Sequence, residues 1–158
     1  MSSLRLRPLQ DGDLDQLFAF ERDPAAVQMA AFTRADPSDR QAFDAHYRRV
    51  RANPENTLYA IERDGILVGQ IASFTIEDSR EISYWIDPAR WGQGLASAAL
   101  DMFLEIERTR PLFARVAEHN IASARVLTRA GFVKISWEVS YADGVAREVV
   151  EHIYRRER

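Results

Sequence analysis

The stretch best suited to chemistry runs from residue 82 to residue 97. Ile82–Ile86 has strand character, Asp87-Pro88-Ala89-Arg90-Trp91-Gly92-Gln93-Gly94 turns the chain, and Leu95-Ala96-Ser97 opens a helix. Glycines at a strand-to-helix turn let the backbone come close to a ligand. The first amides of a helix carry N–H groups without internal partners, at the positive end of its dipole. Gly92 to Ser97 are therefore a candidate cradle for a diphosphate, with Ala96 small enough to let a ligand lie against the helix. The same glycines also suit an ordinary tight turn. No Lys-Ser/Thr pair follows, which excludes a Walker loop, and the third glycine of a dinucleotide fingerprint is missing.

A second stretch lies one strand further on, from Asn120-Ile121-Ala122-Ser123 to Gly131-Phe132. Asn120 suits the N-cap of a helix reaching about Ala130. The alternative is an amide at the helix mouth that holds a polar ligand arm.

Composition removes several other chemistries. The 158 residues contain no cysteine, so disulfides, thiolate metal sites and cysteine nucleophiles are excluded. His46, His119 and His152 lie far apart, which argues against a zinc site; no metal is expected. With 24 acids, 21 bases and a net charge of -3, the chain does not read as a nucleic-acid coat. Lys134 is the only lysine. The arginines are spread over the whole chain, a pattern that points to coding bias more than to phosphate recognition. The opening MSSLRLRPLQ has no apolar segment and no run approaches a membrane span, so a cytoplasmic location is expected, without membrane or nucleic-acid partners.

The elements that must position these residues read as one α/β domain over 1–158. A strand at Leu4–Pro8 precedes a helix capped by Asp11 or Asp13, with Leu14, Leu17, Phe18 and Phe20 on its apolar side. A loop around Met29–Asp39 leads, through the start signal Pro37-Ser38-Asp39, to a second helix carrying Phe43, Tyr47 and Val50. Leu58–Arg63 and Ile66–Thr75 are strands joined by Asp64-Gly65, and Glu81–Asp87 is a third. Leu95, Ala99, Phe103 and Ile106 mark a long helix, with Leu100 and Leu104 adjoining; Leu112–Ala117 is a strand, and Gly131 ends the next helix. Val133–Ser140 and Ala146–Tyr154 flank Asp143-Gly144 as a closing hairpin. The order is β-α-α-β-β-β-α-β-α-β-β around a mixed sheet.

In this order, the two motifs resemble the GCN5-related N-acetyltransferase (GNAT) superfamily, and most closely its RimJ/RimL-like ribosomal-protein-alanine acetyltransferase branch. The acetyl-CoA loop of that family, Gln/Arg-x-x-Gly-x-Gly/Ala, is matched at Gly94 and Ala96, with Trp91 in the first position. The branch's Asn-x-x-Ser…Gly-Phe run is matched by Asn120, Ser123, Gly131 and Phe132. The resemblance is firm from about Ile66 to Phe132 and topological elsewhere.

It implies a twisted sheet that splays between strands Glu81–Asp87 and Leu112–Ala117 to admit the pantetheine arm of acetyl-CoA. Backbone groups of Tyr84, Trp85 and Ile86 would pair with the arm, residues 91 to 97 (Trp91, Gly92, Gln93, Gly94, Leu95, Ala96, Ser97) would hold the diphosphate, and Asn120 and Ser123 would reach it from the other side. The implied activity is acetyl transfer to a primary amine, a protein N-terminus or a small-molecule amine, by direct attack in a ternary complex. The alternative is a catalytically idle acyl-CoA-binding module. Glu81 is the expected general base, with Glu138 and Glu148 behind it, or else an exposed strand-end charge paired with Arg80 or another base. Many family members carry a tyrosine as general acid four residues before the Gly-Phe. Leu127 stands there, so Ser123 is the expected substitute; the alternatives are a helix serine bonded to a preceding carbonyl and a thiolate that leaves without a dedicated acid. Arg90, Arg125 and Arg129 read as phosphate contacts or as solvated charge, and Tyr84 and Trp85 as acceptor-pocket lining or core. Oligomeric state stays open, with a homodimer through the closing hairpin or an edge strand as one arrangement.

Overall fold

The computed structural model describes residues 3–158. Its strands are Leu4–Pro8 (β1), Thr57–Arg63 (β2), Ile66–Ile76 (β3), Ser79–Ile86 (β4), Leu112–Ala117 (β5), Val133–Ala142 (β6) and Arg147–Arg156 (β7). They form one sheet in the order β1-β2-β3-β4-β5-β7-β6. Only the β4–β5 pair is parallel. The helices are Leu14–Arg22 (α1), Pro24–Ala30 (α2), Arg40–Ala52 (α3), Leu95–Ile106 (α4) and Ile121–Arg129 (α5).

The element order is the one read from the sequence, with one refinement. Asp23-Pro24 divides the first helical stretch: Asp23 accepts a hydrogen bond from the Ala26 amide at 3.1 Å and Pro24 opens α2. Met29 and Ala30, expected in a loop, are thereby helical. Asp13 does not cap α1 with its side chain. Its carboxylate accepts from Arg7 at 2.8 and 2.7 Å and from the Gln10 amide at 2.8 Å.

Both faces of the sheet are covered near the middle. On one, Leu95, Ala99, Leu100, Phe103 and Leu104 of α4 are buried with Ile71, Ile82, Ile86, Leu112, Leu127 and Phe132. Their three-to-four spacing is what a helix needs to face one core; Ile106, on the last residue of α4, is exposed instead. On the other face, Leu17, Phe43 and Tyr47 from α1 and α3 close over Ala60 and Leu67.

The closing hairpin turns through four residues, Asp143 to Ala146, because β6 runs on through Tyr141 and Ala142 and β7 starts at Arg147. The left-handed residue is Ala146 (φ 52). Gly144 has a different reason to lack a side chain: a Cβ there would lie 2.6 Å from the Val27 carbonyl oxygen and 2.7 Å from that of Ala31. Its amide donates to the Ala31 carbonyl at 2.7 Å, docking the hairpin tip on the end of α2.

Candidate active site

β4 and β5 start as neighbours at Arg80–Leu112 and Glu81–Phe113, and then part. β4 stays with β3 to its end and β5 stays with β7, and sheet twist carries the two pairs away from each other. Residues 82 to 86 therefore present an edge without a strand partner toward the fork.

A cavity of about 310 Å³ occupies the fork. It passes through the sheet. Tyr84, Ala96, Asn120 and Ser123 line it on the α4–α5 side; Trp85 with Ala26, Met29 and Ala30 of α2 line it on the other. Trp85 is held there by its indole N–H, which donates to the Phe20 carbonyl at 3.2 Å.

The turn before α4 forms one end of the cavity through Arg90, Trp91, Gly92, Gly94, Leu95, Ala96 and Ser97. Gly94 is the N-cap of α4 at φ 74 and ψ 13, a left-handed conformation suited to glycine, with no side-chain cap. The first amide bonded within the helix is that of Ala98, to the Gly94 carbonyl at 3.1 Å. The N–H groups of Leu95, Ala96 and Ser97 are left at the cavity, the arrangement that receives an anion. Gln93 does not line it; its amide oxygen accepts from Arg63 at 2.9 Å. Trp91 stands exposed at the rim, its indole N–H donating to the Ile86 carbonyl at 3.3 Å.

Asn120 caps α5, its side-chain oxygen accepting from the Ser123 amide at 3.2 Å. The Ser123 hydroxyl is hydrogen-bonded not to its own helix but to the Tyr84 hydroxyl, at 2.6 Å. The strand alternation gave no sign of this pairing, because the contact joins residues 39 positions apart. Burial pushes the Tyr84 phenol up to about 12, partly offset by the bond from Ser123. Leu127 is buried in the core. Arg125 and Arg129 are exposed on the outer side of α5, away from this cavity.

Glu81 sits where the fork begins, and its side chain is buried rather than solvated. It is not paired with Arg80, which binds Glu107 at 2.8 Å. Its cation is Arg115 on β5, at 3.5 Å. Arg115 also meets Glu138 at 3.0 Å and Glu151 at 3.4 Å, so three carboxylates surround one guanidinium. Burial raises the Glu81 carboxyl above its ordinary value; Arg115 lowers it, and Glu138 and Glu77 add to the rise. Glu151 is raised for the same first reason. Glu148 lies exposed, opposite Tyr141 and outside this group.

The site is thus a forked sheet with a helix N-terminus at one end of the opening and a buried carboxylate at the crotch. The model of the acetyltransferase (GNAT) domain family matches residues 3–133. The chain belongs to the GNAT acetyltransferases and is an acyltransferase with acetyl-CoA as co-substrate. Among solved structures, an N-acetyltransferase from Staphylococcus aureus Mu50 superposes with a TM-score of 0.83 at 18% identity, covering 98% of both chains. Spermidine N-acetyltransferase from Vibrio cholerae, in complex with CoA and spermine, gives a TM-score of 0.79 at 19% identity, over 96% of this chain and 94% of that one. Mycobacterium smegmatis RimJ, in complex with CoA-disulfide, gives 0.78 at 24% identity, over 96% and 81%. These likenesses are of fold. Comparison with curated proteins returns no match. No helix among the described residues is long and apolar enough to cross a membrane.

Proposed function

We propose that the chain transfers an acetyl group from acetyl-CoA to a primary amine, a protein N-terminus or a small-molecule amine, by direct attack within a ternary complex. The observation that carries this reading is the fork, open through the sheet, with unpartnered α4 amides at one end and Glu81 at its crotch. The residues present fit the carrier. The α4 amides and Gly92 to Ser97 would hold its diphosphate, the free edge of Tyr84, Trp85 and Ile86 would pair with an extended amide-bearing arm, and Asn120 and Ser123 would close the other wall. The asparagine-to-serine spacing of the α5 cap and the Gly131-Phe132 that follows favour the RimJ/RimL-like branch.

Acetyl-CoA supplies an activated acyl group; the chain supplies geometry and proton handling. Holding both reactants in line contributes up to about 7–11 kcal/mol in well-aligned systems. Glu81, raised by burial, takes the proton of the entering ammonium directly or through water. A backbone N–H on the free edge of β4 faces the oxygen on which charge develops, a contact whose loss costs about 3–4 kcal/mol elsewhere. The Ser123 hydroxyl, backed by that of Tyr84, donates to the departing sulfur.

The test is a CoA-release assay across amines that include polyamines, amino acids, aminoglycosides and peptides with varied first residues. It is run beside thermal melts with CoA, where a ligand at 100 times its Kd adds about 2.7 kcal/mol. Turnover with at least one amine and a CoA-dependent melt are expected. A CoA-dependent melt without turnover on any amine leaves an idle CoA-binding module; absence of both removes the reading.

A further inference from the structure

The acceptor side of the cavity is walled by α2, through Ala26, Met29 and Ala30, and the coenzyme side by the start of α5, through Asn120, Ala122 and Ser123. One side chain joins the two walls. His119, immediately before the α5 cap, meets the Gln28 carbonyl of α2 through Nε2 at 2.8 Å, across 91 positions of sequence. A carbonyl oxygen only accepts, so Nε2 carries the proton and donates. Among the described residues this is the one side-chain hydrogen bond between α2 and residues 117–130.

The Gln28 carbonyl is available for a physical reason. The last carbonyls of a helix lack partners inside it. A helix continued past Ala30 would bring the Phe32 amide to Gln28. Ala31 stands instead at φ 66 and ψ -52, and the Phe32 amide donates to the Ala30 carbonyl at 2.7 Å. Such a three-residue turn is rare and strained for an L-residue, and it persists only where the surroundings hold it. Two donors hold this one: the Gly144 amide on the Ala31 carbonyl at 2.7 Å, and His119 on the Gln28 carbonyl. His119 is itself firmly mounted. The Glu118 amide donates to the Val150 carbonyl at 2.9 Å and the Asn120 amide to the Ala117 carbonyl at 2.9 Å, so its turn is pinned on both sides.

Resting on the transferase reading, we infer that His119 is a positioning residue that couples the coenzyme wall to the acceptor wall. A carrier held by Asn120, Ser123 and the α4 amides fixes the start of α5. The His119 bond passes that constraint to Gln28 and holds α2 against the cavity, so the amine meets Met29 and Ala30 already in place. Coupling of this kind is reciprocal: closure of α2 also favours the carrier. Its size is bounded by what the bond contributes, about 2- to 10-fold for a hydrogen bond of ordinary net strength. The Gly144 contact carries no such coupling, because the hairpin does not line the cavity.

Hydrogen–deuterium exchange of the full chain, with CoA as the probe, reads the coupling at the amides of Val27 to Ala31. Saturating CoA should slow these amides in the wild type. With CoA bound, H119A should exchange about 2- to 10-fold faster there, losing that part of the slowing. H119Q, whose amide N–H donates from nearly the same position, should restore it. Amides of β3 and β5 should exchange alike in all three proteins, which separates positioning from a general loss of stability. Equal slowing by CoA in wild type and H119A overturns the inference. So does an H119Q that behaves like H119A, or an acceleration shared evenly with β3 and β5. Titration with CoA, run alongside, distinguishes these results from failure of the transferase reading: a wild type that binds no CoA ends both.

Discussion

The hydroxyls of Tyr84 and Ser123 stand 2.6 Å apart and tie the free edge of β4 to the first turn of α5 across the cavity. One comes from a strand and the other from a helix, and both line the space where a thioester would lie. Burial keeps the phenol protonated, with its pKa near 12 even after the Ser123 bond pulls it down. Below that pH the pair is therefore neutral, two hydroxyls that carry protons at the wall of the cavity.

Y84F and S123A should each lower kcat about 10- to 100-fold, since a hydrogen bond to a charged group contributes about 1.5–3 kcal/mol. The KM for the amine should hardly move. Because the phenol ionises only near 12, neither change should remove a limb of the pH–rate profile below pH 9. Steady-state kinetics beside CoA titration decides the matter; wild-type kcat in both variants would leave the pair with a packing role alone.

Glu81 must be ionised to accept a proton, so the rate should rise with pH through its carboxyl pKa, which burial sets above the ordinary value. E81Q should cost about 10²–10⁴ in kcat and abolish that acid limb. Arg115 lowers the same pKa, while Glu138 and Glu77 raise it. R115Q should therefore move the acid limb to higher pH, leaving the acidic neighbours unopposed. A profile identical to wild type in R115Q would show that Glu81 is not the group observed.

The turn into α4 was legible because its signals are local: two glycines, a small residue and a helix start within seven positions. The strands were legible for the same reason, and the Asp64-Gly65 turn has both residues at positive φ, as its sequence requires. What escaped depends on distant contacts. Arg115 drew no attention as a lone arginine in an apolar strand, yet Glu81, Glu138 and Glu151 converge on it from three other strands. Tyr84 read as lining or core because alternation tells which face a side chain takes, not what waits there. α2 was missed although Asp23-Pro24 announced it, because seven residues are too few to show a helical period. Asp143-Gly144 marked the hairpin connection by composition, but that α2 lies against Gly144 and keeps it small is again a distant contact.

That contact gives a test of how the hairpin shapes the acceptor side. In G144A the new methyl would press on the Val27 and Ala31 carbonyls at the end of α2, costing about 1–3 kcal/mol as overpacking. Since Ala26, Met29 and Ala30 of α2 line the cavity, the KM for the amine should rise more than that for acetyl-CoA. Thermal melts and paired KM measurements check both parts; an unchanged melting temperature would contradict the close packing.

Glu107 closes the base of α4 against the sheet, accepting from Ser73 at 2.6 Å, Arg80 at 2.8 Å and the Thr109 amide at 3.1 Å. Burial alone would raise its pKa, but the Ser73, Arg80 and Thr109 bonds outweigh that and bring it to about 2. A carboxylate depressed in the folded state stabilises it fully above its unfolded value of 4.5, and the contribution disappears as pH falls from there toward 2. E107Q leaves Arg80 without its partner and should lower stability at pH 7 by about 3 kcal/mol, as breaking a buried pair does. It should also flatten the decline in stability between pH 4.5 and 2, the range set by the two values of this carboxyl. Urea melts of both proteins at stepped pH measure the two effects together. Parallel stability curves for wild type and E107Q across that range would show that the carboxylate of Glu107 is not what acid attacks.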